Sequence, residues 1–409
     1  MKKEEILEFL NSNNYKRVSG SKEELLLAQA IAEKCNKMGV ESQIEAFDVN
    51  EADIEDCHLF TEIGEIKAKG YRLGGYTSEL KAPLYYLRSN DDYSLSNVKG
   101  KIVLKTGYFG KWLYNDIVKN GALGIITTSG LQTDNHEDID NRELRTVVSE
   151  GLDRLPCVNI NIKDAMRLIN ENVKEVTISV KGNDYINQSH NVIARIDGET
   201  EEKIVLTAHY DSSPLSNGIY DNLSGTVGLL AIMDKFKDTK PHYGLEFVFC
   251  GSEERGLLGS RAYVKSHELD NIRLVINLDM IGLTLGESIA CCTSEEKLVH
   301  YIEYMGYEYG YPLSAYQDVY SSDSTPFADK GIPAVSFARL DPHDMQIIHN
   351  RYDTMDNMNM NNLYEDVEFI SAFLNRMANA KYLPVKREMP ENMKEKLDEY
   401  NLRKRPKKK

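Results

Sequence analysis

The sequence predicts an α/β protein in which a mostly parallel mixed sheet is sandwiched by helices and interrupted by a β-rich insert. Three features carry this reading. From His190 onward, apolar runs of strand length alternate with helix-like segments, the rhythm of a parallel sheet covered on both faces. Before that, residues 61–185 change texture to short β-like runs separated by Gly, Ser, Asn and Asp. The first 60 residues open on helical periodicity and lead into one short strand.

In order, Ile6, Leu7, Phe9 and Leu10, broken by Glu8 and closed by Asn11, read as an amphipathic helix and not as a signal peptide. Ser21-Lys22-Glu23-Glu24 has capping-box spacing and opens a second helix through Leu25, Leu26, Ala28, Ile31, Ala32 and Cys35 to Gly39. A strand is expected at 44–49. Within the insert, strands are expected at 82–87, 101–105 and 173–180 and a helix at 112–120. Gly121-Ala122-Leu123-Gly124-Ile125-Ile126 then forms a small-residue turn into a buried strand. This stretch lacks clustered His, Asp and Glu, so it reads as an accessory module.

Beyond it, strands at 192–196, 204–208, 245–249 and 274–278 alternate with helices at 224–236 and 257–266. A helix at 295–309, a strand at 334–338 and a helix at 363–382 close the pattern. The expected organisation is one α/β domain built from 1–60 and 186–385, the insert at 61–185, and a charged, helical and basic tail at 386–409.

The 409 residues carry 49 basic and 64 acidic side chains, for a net charge of −15. Six of the basic residues (Arg403, Lys404, Arg405, Lys407, Lys408, Lys409) crowd the end, which reads as a solvated, frayed tail or an interaction tag. Without those six the rest holds 43 basic against 64 acidic residues, a net of −21. Such a surface repels nucleic acid and anionic membrane and mildly favours cationic substrates. No apolar run approaches the roughly 18 residues that a membrane-spanning helix needs. The six cysteines show no C-x-x-C spacing and read as reduced thiols of a cytoplasmic protein; the neighbours Cys291 and Cys292 suggest no role.

In an open α/β sheet, ligands gather beyond the carboxyl ends of the strands, and the chemically interesting residues fall there. His209 ends the 204–208 run, with Asp211 placed to accept from its other ring nitrogen. Asp221 opens Asp221-Asn222-Leu223-Ser224-Gly225 before a helix, where an N-cap is the simpler role. Glu253-Glu254 follow the 245–249 strand, Asp279 follows 274–278, and His349 lies on a loop before the last helix. Two imidazoles with several carboxylates make an N/O donor set suited to Zn²⁺, or to Co²⁺ and Mn²⁺. Five ligands exceed what one catalytic zinc with an open position uses. They fit two ions sharing a carboxylate, which leaves one glutamate free as a general base.

The series His209-x-Asp211, Asp221-Asn222-x-Ser224-Gly225, Glu253-Glu254, Asp279-Met280-x-Gly282 and His349 resembles the M28 family of co-catalytic zinc peptidases, which includes many aminopeptidases. The likeness covers about 191–383, and the insert more loosely resembles a protease-associated domain through 121–126. The resemblance implies that Asp221 bridges two zinc ions, that His209 and Asp279 complete one site, and that Glu254 and His349 complete the other. It implies Glu253 as the base, Asp211 as the partner of His209, and a cis peptide after Asp221. Tyr320 or Tyr316 is the expected donor to the oxyanion. One departure stands out: where relatives commonly read Ser-Asp-His, this chain has Ser322-Asp323-Ser324, which bears on substrate contacts and not on the ligands.

The expected activity is removal of N-terminal residues from peptides with a free N-terminus. The alternatives on the same scaffold are a carboxypeptidase, a glutaminyl-cyclase-like acyl transferase, or a non-catalytic binding protein. Retention of all six ligand and base residues argues against the last.

Overall fold

The computed structural model describes residues 1–341 and 347–406, so Lys407, Lys408 and Lys409 of the basic tail lie outside the described residues. The chain forms two compact units, one of Met1–Val49 with the residues from Gln188 on, the other of Asn50–Asn187.

Four adjacent strands of the first unit, Ala334–Leu340, Ile272–Leu278, Lys203–His209 and Gly244–Cys250, run parallel in that order. Antiparallel neighbours flank them. Residues 192–196 pair with Gly244–Cys250 at one side, and Glu287–Thr293 pairs with Ala334–Leu340 at the other, itself joined in parallel by Ser314–Gln317. The strands are near-continuous apolar runs because both faces are covered. Ile204, Leu206 and Ala208 turn to one core, shared with the helices Lys3–Ser12, Lys22–Lys37, Ser224–Phe236, Glu296–Tyr309 and Met360–Ala378. Val205, Val248 and Val275 turn to the other, against Tyr263, Phe327, Met393 and Leu397.

The second unit pairs Thr77–Tyr86, Ile102–Lys105, Gly124–Ser129 and Cys157–Asn161 in parallel, with Ala68–Gly70 antiparallel at the end. Its helices include Lys111–Lys119 and Ile162–Asn170. The latter was not expected: it is only nine residues long, capped by Asn161 and burying Ala165 and Leu168.

Three expectations need correction. The strand expected at 44–49 runs as Ser42–Thr61, and those expected at 173–180 and 192–196 form one strand, Glu175–Ile196. The chain therefore leaves the first unit at 49/50, inside an unbroken strand, and not at 60/61. Polar residues in the middle of each strand hid this continuity.

The tail expected as helical and basic at 386–409 packs onto the first unit. It contains the helix Glu391–Tyr400, whose Met393 and Leu397 are buried beside Met389 in the second core. Met389, Met393 and Leu397, at four-residue spacing, are enough to dock a helix whose other residues are mostly Glu, Lys and Asp. Arg403 is ion-paired to Asp329 at 2.5 Å and to Asp398 at 2.6 Å. All six cysteines are free thiols, five of them buried. Among the described residues no helix is long and apolar enough to cross a membrane.

Candidate metal centre

The carboxyl ends of the parallel strands bring the singled-out residues together. His209 is the last residue of its strand, and Asp279 immediately follows Leu278. Asp221 lies in the irregular turn Ile219–Leu223 ahead of the helix Ser224–Phe236, and the Asp221–Asn222 bond is cis. The side chain of Asn222 ties this turn to the neighbouring strand end: its Nδ2 donates to Leu278 O at 2.9 Å, and its Oδ1 accepts from Met280 N and Gly225 N, both at 3.0 Å. Glu253 and Glu254 begin a single helical turn, Glu253–Arg255, reached from Gly244–Cys250 through Gly251 and Ser252.

Two triads result, one of His209, Asp221 and Asp279, the other of Asp221, Glu254 and His349, each with ligand atoms within 4.8 Å of one another. They share Asp221 through its two different oxygens. Oδ1 lies 3.2 Å from His209 Nε2, which is 3.5 Å from Asp279 Oδ1. Oδ2 lies 3.1 Å from His349 Nε2, which is 3.1 Å from Glu254 Oε2. Glu253 stands apart from both triads, with Oε2 4.0 Å from His209 Nε2. His209, Asp221 and Asp279 are buried, whereas the His349 side chain is 54% exposed.

The residues present fit a pair of dications. Asp279 Oδ1 and Glu254 Oε1 are buried oxygens without a hydrogen-bond partner, a costly condition unless something else satisfies them. The local charge is one-sided as well. Burial, then the neighbouring Asp323, Asp279 and Glu254, hold the Glu253 carboxyl well above the usual carboxylate range against the pull of His209. Burial and Asp221 push Glu254 up to about 7, against the pull of His349. Bound cations would relieve both. Imidazole and carboxylate donors suit Zn²⁺ and its first-row neighbours.

Asp211 behaves differently from the expected histidine partner. Its Oδ1 is 3.5 Å from His209 Nδ1, long for a hydrogen bond, while its two oxygens accept the backbone N–H groups of Glu253 at 2.9 Å and Glu254 at 3.2 Å. It thus fixes the turn that carries both glutamates.

The structure also separates the two tyrosines. The Tyr320 hydroxyl is buried without a partner, and burial, then Asp279, raise its pKa well above the ordinary value. The Tyr316 hydroxyl is raised first by burial and then by Cys291, with no metal-centre residue among its leading neighbours. Ser324, at the position where relatives commonly carry His, is buried and hydrogen-bonded to Ser336 at 2.8 Å.

Four buried charged residues that brace the site were missed in the sequence. Asp353 accepts the N–H groups of Tyr220 at 2.7 Å and Asp221 at 3.1 Å. Asp366 accepts that of Gly282 at 2.8 Å. Arg17 donates to the carbonyls of Tyr210 at 2.7 Å, Asn217 at 2.6 Å and Gly218 at 2.9 Å, clamping the chain between His209 and Asp221. Glu24 reaches Ser252. Each is distant in sequence from the group it holds, so no local pattern marks it.

Comparison with known proteins agrees with this geometry. Residues 191–374 match the model of peptidase family M28. The chain is 27% identical over 387 residues to Aminopeptidase YwaD of Bacillus subtilis (strain 168), covering 87% of this chain and 80% of that protein. It shares its fold with a zinc aminopeptidase structure from Bacillus subtilis, at a TM-score of 0.78 and 22% identity over 96% of this chain and 98% of that one. An aminopeptidase from Aneurinibacillus sp. strain AM-1 superposes with a TM-score of 0.75 and 21% identity, over 94% and 96% of the two chains. The matched segment, somewhat under half of the chain, holds every member of both triads together with Glu253, so the likeness to peptidase family M28 falls on the residues of the candidate metal centre.

Proposed function

We propose that this protein is a binuclear zinc aminopeptidase that removes N-terminal residues from peptides. The observation that carries the reading is Asp221, whose two oxygens face one imidazole each, with a further carboxylate completing each triad and Glu253 left over beside them.

His209, Asp221 and Asp279 would hold one zinc ion and Asp221, Glu254 and His349 the other; Co²⁺ or Mn²⁺ fit the same donors. Bound there, the pair supplies Lewis acidity to the scissile carbonyl and lowers the pKa of the attacking water. Glu253 takes the proton of that water on its carboxylate and passes it to the leaving amine. Glu253 belongs to neither triad, with Oε2 4.0 Å from His209 Nε2, which leaves its carboxylate free to carry that proton. The buried, unpartnered Tyr320 hydroxyl is the donor assigned to the developing oxyanion in preference to Tyr316. Asp211 keeps Glu253 and Glu254 in register by holding their N–H groups. The 50–187 unit is read as a protease-associated-like insert.

Elemental analysis together with hydrolysis of aminoacyl-nitroanilides, before and after chelation, tests the reading. The expected result is two zinc ions per chain and activity lost to chelator and restored by zinc. N-blocked peptides should be refused. Cleavage from the C-terminus, or cyclisation of N-terminal glutamine, would point to the alternative chemistries. Glu253→Gln should keep both metals and lose about 10²-fold or more in kcat; metal retention with wild-type turnover would refute the assignment of the base.

A further inference from the structure

Glu24 is the third residue of the helix Lys22–Lys37, the position from which a capping-box glutamate reaches back to the N-cap N–H. Only half of that box is made. Ser21 Oγ accepts from Glu24 N at 3.1 Å, but Ser21 N donates to Val18 O and the Glu24 carboxylate turns elsewhere. Its Oε2 accepts the N–H of Gly20 at 2.7 Å. Its Oε1 accepts the Ser189 hydroxyl at 2.8 Å and, from Ser252, the backbone N–H at 3.0 Å and the hydroxyl at 3.3 Å. Glu24 is fully buried.

The chain it grips is under constraint. Ser252 has φ of 56°, a left-handed conformation that side chains other than glycine disfavour. At the preceding Gly251 a Cβ would lie 2.8 Å from Glu24 Oε1 and 2.5 Å from His190 O, so the close approach of the carboxylate requires glycine there. The N–H of Ser252 goes to Glu24, and the next two, of Glu253 and Glu254, go to Asp211. Three successive amides therefore converge on two buried carboxylates, an anion-binding nest occupied by the chain's own side chains.

We propose that Glu24 is a positioning residue for the Glu253–Glu254 pair: reaching across from the N-terminal helix, it holds Ser252 left-handed and so aims both glutamates at the metal centre. The inference rests on the roles given to Glu253 and Glu254 above. Burial and then Asp211 push the Glu24 carboxyl up to about 8, a cost that a solvated capping glutamate would not carry.

Compared above pH 8, where the Glu24 carboxyl is ionised, Glu24→Gln keeps the shape of the side chain and turns one acceptor into a donor. Hydrogen exchange of the metal-free protein reads the turn without reference to catalysis. The peptide 250–257 should exchange about tenfold faster in the variant, with 203–209 and 272–278 unchanged. In the zinc-loaded protein kcat should fall about 10- to 100-fold, with metal content retained and KM within about twofold of wild type.

Adding Ser252→Gly, which accepts φ of 56° without strain, should restore kcat to within about threefold of wild type, a recovery that a general loss of stability would not show. Should Glu24→Gln fail to fold, Ser189→Ala, which removes one donor to the same carboxylate, should give the same exchange change in smaller measure. Unchanged exchange at 250–257, unchanged kcat, or no recovery with Ser252→Gly overturns the inference. A wild type that binds two metals and hydrolyses nothing refutes the peptidase reading instead, and exchange at 250–257 then still decides whether Glu24 holds the turn.

Discussion

Asp353 offers the sharpest test of how the metal centre is kept in shape. It is fully buried and accepts three hydrogen bonds, from Tyr220 N at 2.7 Å, Asp221 N at 3.1 Å and Ser216 Oγ at 3.2 Å. Two of these are the backbone donors of the turn that carries the shared carboxylate, while Asp353 itself follows His349 by four residues. Asp353→Ala would strand both N–H groups away from solvent, at about 1–3 kcal/mol each. Tyr220 and Asp221 can recover partners only by moving, and movement of Asp221 disturbs both triads at once. Loss of such a supporting contact typically weakens metal binding about 10- to 100-fold, or about 1.4–2.7 kcal/mol. Competition of the variant with a chromophoric chelator for Zn²⁺ measures this directly. Both zinc affinities should fall together, and Asp353→Asn, which keeps one acceptor oxygen, should lie between Ala and wild type. An Asp353→Ala protein that holds both ions within about twofold of wild type would refute the reasoning.

Three further outcomes are expected. Tyr320→Phe should lower kcat by about 10²-fold, while Tyr316→Phe stays near wild type, as steady-state kinetics on an aminoacyl-nitroanilide will show; equal effects would remove the distinction between the two phenols. In metal-free protein, the Glu24 carboxyl binds its proton more tightly folded, up to about 8, than its ordinary value of 4.5. Its share of stability is therefore present below 4.5 and lost as pH rises toward 8. Thermal melts across that window should fall more steeply for wild type than for Glu24→Gln, and parallel curves would contradict this. Leu397→Ala should cost about 2–5 kcal/mol in denaturant unfolding because the tail helix fills the second core; a value near zero would mean that the helix is dispensable.

What the sequence made legible were groups that announce themselves at the ends of apolar runs. His209, Glu253, Glu254 and Asp279 follow strongly hydrophobic strands in a chain whose helices and strands alternate, and that placement alone singles them out. Asp221 and His349 joined the same set as weaker signals, since an acid before a helix and a histidine on a loop are ordinary, and the family resemblance supplied their roles.

The braces were illegible for a different reason. Glu24 sits in a convincing capping box and spends half of it elsewhere, because Ser252 offers a buried N–H that only the folded chain brings near. Arg17, Asp353 and Asp366 likewise act on backbone groups far away in sequence, and backbone groups leave no trace in a string of side chains. The long strands Ser42–Thr61 and Glu175–Ile196 escaped because their polar middles read as breaks. The helical character of 386–409 was legible but its docking was not, because Met389, Met393 and Leu397 are faint against the surrounding charge.

The central claim is that two metal ions share Asp221, and the zinc content of Asp221→Ala by elemental analysis tests it most directly. With wild type at two ions per chain, the substitution removes a ligand from both triads, so the account predicts that both ions are lost on dialysis while the fold persists by circular dichroism. Retention of one tightly held zinc ion by a folded Asp221→Ala protein would contradict it, because the two sites would then not depend on a common carboxylate.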